Sequence, residues 1–468
     1  MATVLPRMFS FLLLPLYTNI LPEDEYGKVT IIFSYFIICN VILAYGMETA
    51  FFRFYQEKSQ QKQVVNTSTL SLLFSSLLFV GIAWTFQGAI ADFVEIDVNY
   101  IKLVIWILFL DAVVIIPFAY LRASQRPIKY AIIKIANVVI NLSLNVYFLV
   151  YMSKMISPNS LIYHLFENQN EIHFIFISNF IASAFTLLAL ASFYFKISYK
   201  VDVKLWKQMM QYGWPVLIAG AAYSINETFD KILLSKMLPD AIAKAQVGIY
   251  GACYKLALFM TLFATAFRLG IEPFFFSQAK EKNAANTYAQ ITKYFVIFGA
   301  VIFLFVVTFI DILKVYIVRD PVYWEGIIIV PIVLLANFCL GIYHNLSVWY
   351  KVTDKTIIGA YISVVAAIIT LVLNILLIPY ISYIGSAIAT LVAYSFMMLS
   401  SWWLGRKQYP IPYDLKKIGT YFGLSILFST LSFYVFDSNY LVSVPLFLTF
   451  LLLLYFGERK EISRILKK

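Results

Sequence analysis

The sequence predicts an all-α polytopic membrane protein with about fourteen transmembrane helices. Hydrophobic residues make up 61% of the 468-residue chain and charged residues only 13%, and the mean hydropathy is +0.80. A soluble domain would carry about a quarter charged residues. Apolar runs of about 20 residues, the length of helix that crosses a ~30 Å hydrocarbon core, recur along the whole chain. These runs are too long for the ~10-residue alternating strands of a membrane barrel.

The apolar runs define the predicted spans. The spans are 3–20, 27–52, 67–90, 99–121, 128–151, 173–195, 212–237, 247–269, 288–312, 326–350, 357–378, 384–404, 418–436 and 440–457. The longest connection is SKMISPNSLIYHLFENQNE, which is shorter than the ~50 residues of a small soluble domain. The first run begins almost at Met1 and shows no cleavage site, and we expect a short basic leader to precede it.

The basic residues predict the orientation of the spans. With both termini in the cytoplasm, the inner connections and the span ends beside them hold about 26 of the 36 Lys and Arg residues, against about 7 in the outer loops. One missed span would invert this pattern downstream. The asymmetry also explains the net charge of +11 without a nucleic-acid partner.

An internal repeat divides the chain. LRASQRP, from Leu121, resembles YKVTDKT, from Tyr350, and LSLNVYFLV resembles LVLNILLIP at the same offset, which places Asn145 on Asn374. Spans 1–6 therefore look duplicated as spans 7–12. The predicted domains are an N-terminal lobe (1–196), a C-terminal lobe (197–404), and spans 13 and 14 with a basic tail (405–468). Two parallel six-helix lobes are typical of transporters.

The stretch YSINETFDKILL places charged residues inside predicted span 7. On a helix, Glu227, Asp230 and Lys231 share one face with Tyr223, and Glu227 and Lys231 are spaced to pair. A charge at the bilayer centre costs roughly 2.5 kcal/mol or more, so such residues face a bundle interior or a wet cavity. A wet cavity and an ion pair that fixes helix register are both compatible with this face.

Other charged residues also lie at membrane depth. Cations in or beside the spans form a candidate anion site suited to pyrophosphate: Arg7, Arg53, Lys231, Lys255 and Arg268. Arg7 and Arg53 lie near enough to span ends to reach the interface instead. The acids are candidates for ion coupling or for structural pairing: Glu48, Asp111, Glu227, Asp230 and Glu272. We expect asparagines such as Asn145 and Asn374 to form interhelical hydrogen bonds.

Several enzyme and cofactor motifs are missing from the sequence. There is no P-loop, HExxH, CxxC or GxSxG motif, and the three cysteines are isolated within apolar runs. The sequence thus predicts no cofactor and no metal site. No external loop is long enough to carry the acids and bases of a glycan-joining enzyme, so we expect the chain not to be an enzyme.

Several segments together resemble the Wzx-type oligosaccharide flippases, in the polysaccharide transporter family of the multidrug/oligosaccharidyl-lipid/polysaccharide exporter superfamily. The resemblance runs from about Leu12 to Leu404 and rests on the order and spacing of the segments LLLPLYTNILPEDEYGKVTI, YGMETAFFRFY, YGWPVLIAGAAYSINETFDKILLSKMLP, GIYGACYKLALFMTLFATAFRLGIEPFFFSQA and IPYISYIGSAIATLVAY. It implies a V-shaped bundle of two lobes with a cationic cavity lined by spans 1, 2, 7 and 8, which points to the five cations named above.

The resemblance also implies a function. The protein would move undecaprenyl-pyrophosphate-linked oligosaccharides across the bacterial inner membrane by alternating access, for O-antigen, capsule or exopolysaccharide synthesis. Expected partners are membrane lipids, H⁺ or Na⁺ as coupling ion, and the glycan polymerase and glycosyltransferases of the same pathway. Two alternatives stay open: a cation-coupled multidrug-type antiporter and a membrane glycan polymerase or ligase.

Overall fold

The computed structural model describes residues 11–152, 170–278, 281, 283–353 and 355–466, without the side chains of 272, 273, 276–278 and 460–466. These residues form helices and connections, and none of them lies in a strand. The chain divides into two compact units, unit 1 (Met1–Ile232) and unit 2 (Leu233–Lys468). The predicted boundaries at 196/197 and 404/405 stay predictions.

The residues of unit 1 that the structure describes form nine helices and most of a tenth. They are α1 (Leu14–Ile20), α2 (Glu23–Ala44), α3 (Met47–Phe54), α4 (Gln61–Thr85), α5 (Gln87–Val94), α6 (Val98–Val113), α7 (Ile115–Ala123), α8 (Pro127–Val146), α9 (Glu171–Tyr194) and α10 (Val203–Met237), which ends in unit 2. The first turn of α8 contains Pro127, whose missing N–H is not needed there, and the Asp97 side chain caps α6 by accepting from the Asn99 amide at 2.7 Å.

The described residues of unit 2 form the remaining helices. They are α11 (Asp240–Leu256), α12 (Leu258–Gln278), α13 (Ala284–Thr308), α14 (Ile310–Ile317), α15 (Val330–Leu346), α16 (Val348–Val352), α17 (Thr356–Gln408), α18 (Leu415–Thr430) and α19 (Tyr440–Leu466). A 3₁₀ segment (Pro321–Ile329) precedes α15, and π-helical segments follow α8 (Tyr147–Met152) and α18 (Leu431–Val435).

Ten helices of the described ranges are long and apolar enough to cross a membrane, or eleven when α11 and α12, which meet at a 48° bend, count as one broken span. The predicted multi-pass membrane fold is confirmed, while the count of fourteen spans stays a prediction. One of the ten, α17, contains 53 residues, about 80 Å of helix, and is broken at Ile381 and Ser382. Helix α10, which is predicted span 7, is not among the ten.

One break between helices in unit 1 has a clear backbone cause. Tyr45 and Gly46, between α2 and α3, both have left-handed conformations, with φ of 32° and 72°. Gly46 packs directly on the backbone of Gly213 in α10, and a Cβ atom on Gly213 would lie 3.0 Å from the Tyr45 carbonyl oxygen. A side chain at either glycine would push the two backbones apart.

Candidate functional site: a polar cavity and a buried charge pair in unit 1

A polar cavity of about 510 Å³ lies within unit 1. Its amide and hydroxyl lining comes from Asn40 on α2, Asn137 and Asn141 on α8, and Asn179, Ser183 and Thr186 on α9. Its charged lining consists of Glu48, Asp111, Arg122 and Lys134. The cavity therefore combines groups from four predicted spans, 2, 4, 5 and 6.

Helical periodicity explains how two of these helices supply their polar groups. On α8, Tyr130, Lys134, Asn137 and Asn141 recur at intervals of four, three and four residues, which places them on one face. On α9, Asn179, Ser183 and Thr186 recur in the same way. The two faces meet where the Asn137 amide donates to the Thr186 hydroxyl at 3.0 Å.

The charged groups of the cavity are held by specific contacts. Arg122 forms an ion pair with Glu48, and the two side chains are 35% and 41% exposed, so this end of the cavity reaches the surface. Asp111 accepts a hydrogen bond from the Ser183 hydroxyl at 2.8 Å. The Lys134 ammonium lies 4.4 Å from the centre of the Phe118 ring, a cation–π contact.

A second polar feature, the charge pair of Asp230 and Lys231, lies on α10. The Lys231 ammonium donates to both carboxylate oxygens of Asp230 at 2.9 Å and to the Glu227 carbonyl oxygen at 3.2 Å. Asp230 is 1% exposed and Lys231 9%. The Glu227 carboxylate accepts from the Tyr223 hydroxyl at 3.3 Å. The pair holds two opposite charges together inside unit 1. Their attraction offsets part of the cost of burying each charge at membrane depth.

The other predicted cations lie in different settings. Arg53 is exposed in the last turn of α3, with its guanidinium 6.0 Å from the centre of the Tyr212 ring. In unit 2, Lys255 is half-buried in the last turn of α11, directly before the 48° bend. Arg268 of α12 lines a cavity of about 10 Å³ together with His344 and Lys351. This volume has room for about one water molecule.

Two of the predicted site residues cannot be placed as side chains. Arg7 lies outside the described residues, and Glu272 belongs to α12 but its side chain is not described. The described residues contain no group of three His, Cys, Asp or Glu side chains that could hold a metal ion.

Sequence reasoning missed most of the cavity. It treated Arg122 as part of a cytoplasmic connection and did not single out Lys134, Asn179 or Ser183. One local signal was available, because Lys134 shares the face of α8 with Asn137 and Asn141. No sequence signal places Asp111 of α6 beside Ser183 of α9, since 72 residues separate them.

The two predicted interhelical asparagines are confirmed. The Asn145 side-chain amide oxygen accepts from the Tyr17 hydroxyl at 2.8 Å, and the Asn374 side-chain amide oxygen accepts from the Ser386 hydroxyl, across the break in α17, at 2.7 Å. Each asparagine also donates to the backbone oxygen four residues earlier, that of Asn141 or Thr370. The paired positions of the sequence repeat thus make the same two kinds of hydrogen bond, each inside its own unit.

Comparison with known protein families assigns the chain to one of them. The profile of the family described as polysaccharide biosynthesis protein matches residues 1–267, more than half of the chain. The chain belongs to this family. A search of curated protein sequences finds no match.

Solved structures similar to this family member are membrane transporters and a flippase. The lipid II flippase MurJ, in an inward closed conformation, is 15% identical, with a TM-score of 0.71 and 98% of each chain covered. An inward-facing multidrug resistance MATE family transporter of the MOP superfamily is 12% identical, with a TM-score of 0.68, over 90% of this chain and 95% of that one. The Vibrio cholerae MATE transporter VcmN, in the bent form, is 14% identical, with a TM-score of 0.54, over 90% and 95%. At these identities the likeness concerns the fold.

Proposed function

We propose that the protein is a flippase for undecaprenyl-pyrophosphate-linked oligosaccharides. It would move them across the bacterial inner membrane by alternating access, with both termini in the cytoplasm, to supply O-antigen, capsule or exopolysaccharide synthesis. The observation that carries the proposal is membership of the polysaccharide biosynthesis family in a chain with the fold of MOP superfamily transporters. On this proposal the chain moves its substrate without making or breaking a covalent bond.

The cations supply the chemistry that the headgroup requires. Moving a pyrophosphate through hydrocarbon unaided carries a prohibitive desolvation cost, and fixed cations replace part of its hydration. The proposed groups are Arg7, Arg53, Lys231, Lys255 and Arg268. Among these, Lys231 already contacts Asp230, so a pyrophosphate would have to displace this carboxylate to bind the ammonium directly.

The acids are the proposed coupling groups, and their contacts rank them. Glu48 and Asp230 each form an ion pair, which suits structural pairing. Asp111 accepts from a neutral hydroxyl inside a cavity, so it is better suited to exchange H⁺ with water. Glu227, which accepts from a tyrosine, keeps its proposed role without a rank. Glu272 keeps its proposed role without a structural argument.

The proposal is tested by flipping in proteoliposomes. We expect the wild-type protein to expose a fluorescent undecaprenyl-pyrophosphate oligosaccharide to an external quencher. Lys255→Ala should slow this movement about tenfold or more, because a charge-assisted hydrogen bond to the pyrophosphate is lost. The exposed Lys207→Ala of α10 is the matched control and should flip at the wild-type rate.

Two outcomes would contradict the proposal. If Lys255→Ala, folded and inserted, flips as fast as wild type, Lys255 does not bind the headgroup. The antiporter alternative rests on the TM-score of 0.68 with a multidrug MATE family transporter. If wild type moves no lipid-linked glycan but exports cationic drugs against an H⁺ or Na⁺ gradient in the same vesicles, that alternative replaces the flippase.

A further inference from the structure

The polar cavity of unit 1 has a composition that selects a class of ligand. We propose that it binds one uncharged sugar residue, bearing hydroxyl or acetamido groups, of the glycan being moved. The inference rests on the proposed function and adds to it a sugar subsite formed by unit 1 alone, separate from the cations proposed for the pyrophosphate.

The charge balance of the cavity argues against an ion as its main ligand. The two acids, Glu48 and Asp111, are matched by two bases, Arg122 and Lys134, so the formal charges cancel. A pyrophosphate would approach two carboxylates, and a metal cation would approach a guanidinium and an ammonium. A neutral ligand meets neither repulsion and can hydrogen-bond to both kinds of group.

The asparagines of the cavity keep unused hydrogen-bonding capacity. Asn40 makes no side-chain hydrogen bond to any part of the chain that the structure describes, although it lies within a predicted span. Asn137 and Asn179 each use one end of the amide, as donors to Thr186 and to the Ile175 carbonyl oxygen. The Asn141 amide oxygen accepts from Asn145, which leaves its two N–H groups.

A ligand for these amides must both donate and accept. Whichever way each amide is oriented, the cavity offers N–H donors beside carbonyl acceptors, together with the free oxygen of Asp111. Sugar hydroxyls and acetamido groups do both, whereas a hydrocarbon chain does neither and would leave these groups unpaired at a cost.

Size and access fit the same class of ligand. The volume of about 510 Å³ lies within the ~300–1,000 Å³ range of small-molecule sites. The half-exposed pair of Glu48 and Arg122 forms the open end, and Asp111 and Lys134 lie farther from the ends of their spans. The rings of Phe118 and Tyr130 are already in contact with Lys134 and Arg122, so recognition rests on hydrogen bonds rather than on stacking.

The test compares two carriers in the same proteoliposomes. One is fluorescent undecaprenyl pyrophosphate bearing a neutral N-acetylated disaccharide, and the other is the same lipid without sugar. Asn40→Leu is the primary variant because the Asn40 side chain makes no hydrogen bond to another described residue, so the change removes none. Asn141→Leu is the second, since Asn145 keeps its bond to the Asn141 backbone oxygen at 2.8 Å. Asn99→Leu, at the end of α6 outside the cavity, is the control.

We expect each cavity variant to slow the disaccharide carrier about fivefold, the effect of losing one neutral hydrogen bond, and to leave the sugar-free carrier unchanged. Equal rates for all variants, or equal slowing of both carriers, would overturn the sugar subsite while leaving the flippase intact. A variant that alters only the H⁺ or Na⁺ dependence would overturn it in favour of an ion site.

Binding of the free disaccharide separates the two proposals. Saturation-transfer NMR on the purified full-length protein should show contact with the disaccharide for wild type and loss of that contact for Asn40→Leu. If wild type moves neither carrier yet binds the disaccharide in this Asn40-dependent way, the flippase proposal fails and the sugar subsite stands. Binding that is the same in both proteins, or absent from wild type, overturns the subsite.

Discussion

Two residues adjacent in sequence, Asp230 and Lys231, form a buried ion pair in unit 1. Consecutive residues of a helix point about 100° apart and do not normally face each other. The long lysine side chain bridges this angle and reaches both carboxylate oxygens at 2.9 Å. Because the carboxylate is almost fully buried, removing the ammonium that contacts both of its oxygens makes its charge costlier to keep in the interior.

Lys231→Ala is expected to lower the free energy of unfolding by about 3–5 kcal/mol, because the buried Asp230 carboxylate loses the ammonium that contacts both of its oxygens. The double variant Asp230→Leu/Lys231→Met removes both charges and should be much closer to wild type. Thermal unfolding of the detergent-purified proteins measures the difference, with the exposed Lys207→Ala as control. Equal melting temperatures for the single and double variants would mean that the pair is not coupled.

Helix geometry predicted the polar face of α10 but not which carboxylate the lysine contacts. The spacing of Glu227 and Lys231 favoured a pair four residues apart, and the structure shows the ammonium on Asp230. Side-chain rotamers depend on neighbours from other segments, which a single helix does not contain.

At the scale of secondary-structure elements, a break inside a predicted span determines how two helices of unit 1 pack. Helices α2 and α3 form one predicted span, 27–52, that the structure interrupts at Tyr45 and Gly46. The break brings the Gly46 backbone against Gly213 of α10, a contact that only residues without side chains permit. The glycine therefore combines a left-handed conformation with a close approach, and each would be strained by a Cβ atom.

Gly46→Ala should destabilise the protein by more than about 2 kcal/mol. It adds the cost of a left-handed conformation, about 1–2 kcal/mol, to an overlap with the Gly213 backbone. Gly81→Ala in α4 is the matched control, since its Cβ would meet no atom within 4 Å, and it should be neutral or slightly stabilising. Thermal unfolding of both variants measures the difference. Equal changes in melting temperature for Gly46→Ala and Gly81→Ala would show that the contact between Gly46 and Gly213 contributes little to stability.

Apolar periodicity located most helices within a few residues. The predicted span 128–151 corresponds to α8 and its π-helical end at Met152, and 99–121 corresponds to α6 and α7, from Val98 to Ala123. The breaks inside spans were not predicted, because the apolar run continues across Tyr45, which has a left-handed conformation, and across Leu256, which precedes the 48° bend. Such breaks are set by packing against other helices, not by the local sequence.

At the scale of the whole molecule, a buried charge cluster joins the C-terminal helices to the rest of unit 2. Glu458 of α19 accepts from Lys293 of α13 at 3.1 Å and from Lys417 and Tyr421 of α18 at 2.8 Å. Glu458 and Lys293 are each 5% exposed. A single carboxylate thus joins predicted spans 13 and 14, which lie outside the sequence repeat, to predicted span 9.

Glu458→Leu should lower the free energy of unfolding by about 3–5 kcal/mol, since the buried Lys293 ammonium loses the carboxylate that neutralises its charge. Lys417→Ala removes a more exposed partner and leaves the Lys293–Glu458 pair, so its effect should stay below about 1 kcal/mol. Thermal unfolding measures the stability of both variants. Cleavage at a protease site placed between α17 and α18 reports whether the C-terminal helices stay attached. A larger loss for Lys417→Ala than for Glu458→Leu would contradict the assignment.

The sequence predicted the internal repeat but neither the polar cavity nor the role of Glu458. The repeat predicted that Asn145 and Asn374 are equivalent, and both are buried with matching hydrogen bonds. The cavity could not be anticipated, because its polar groups come from four separated spans and only folding brings them together. Glu458 was missed for a related reason, since it stands in a basic tail that looked solvated.

The break in α17 has a consequence for how the protein is made. Ser386 donates to the side-chain oxygen of Asn374 at 2.7 Å, although twelve residues of straight helix would separate them by about 18 Å, so the chain turns back on itself. Only Ile381 and Ser382 leave the helical conformation, with Ser382 held by Gln246 at 2.9 Å. No linker would let the second half wait in water while the first half enters the bilayer. We therefore expect the two halves of these 53 residues to enter the bilayer together during biosynthesis, as one helical hairpin.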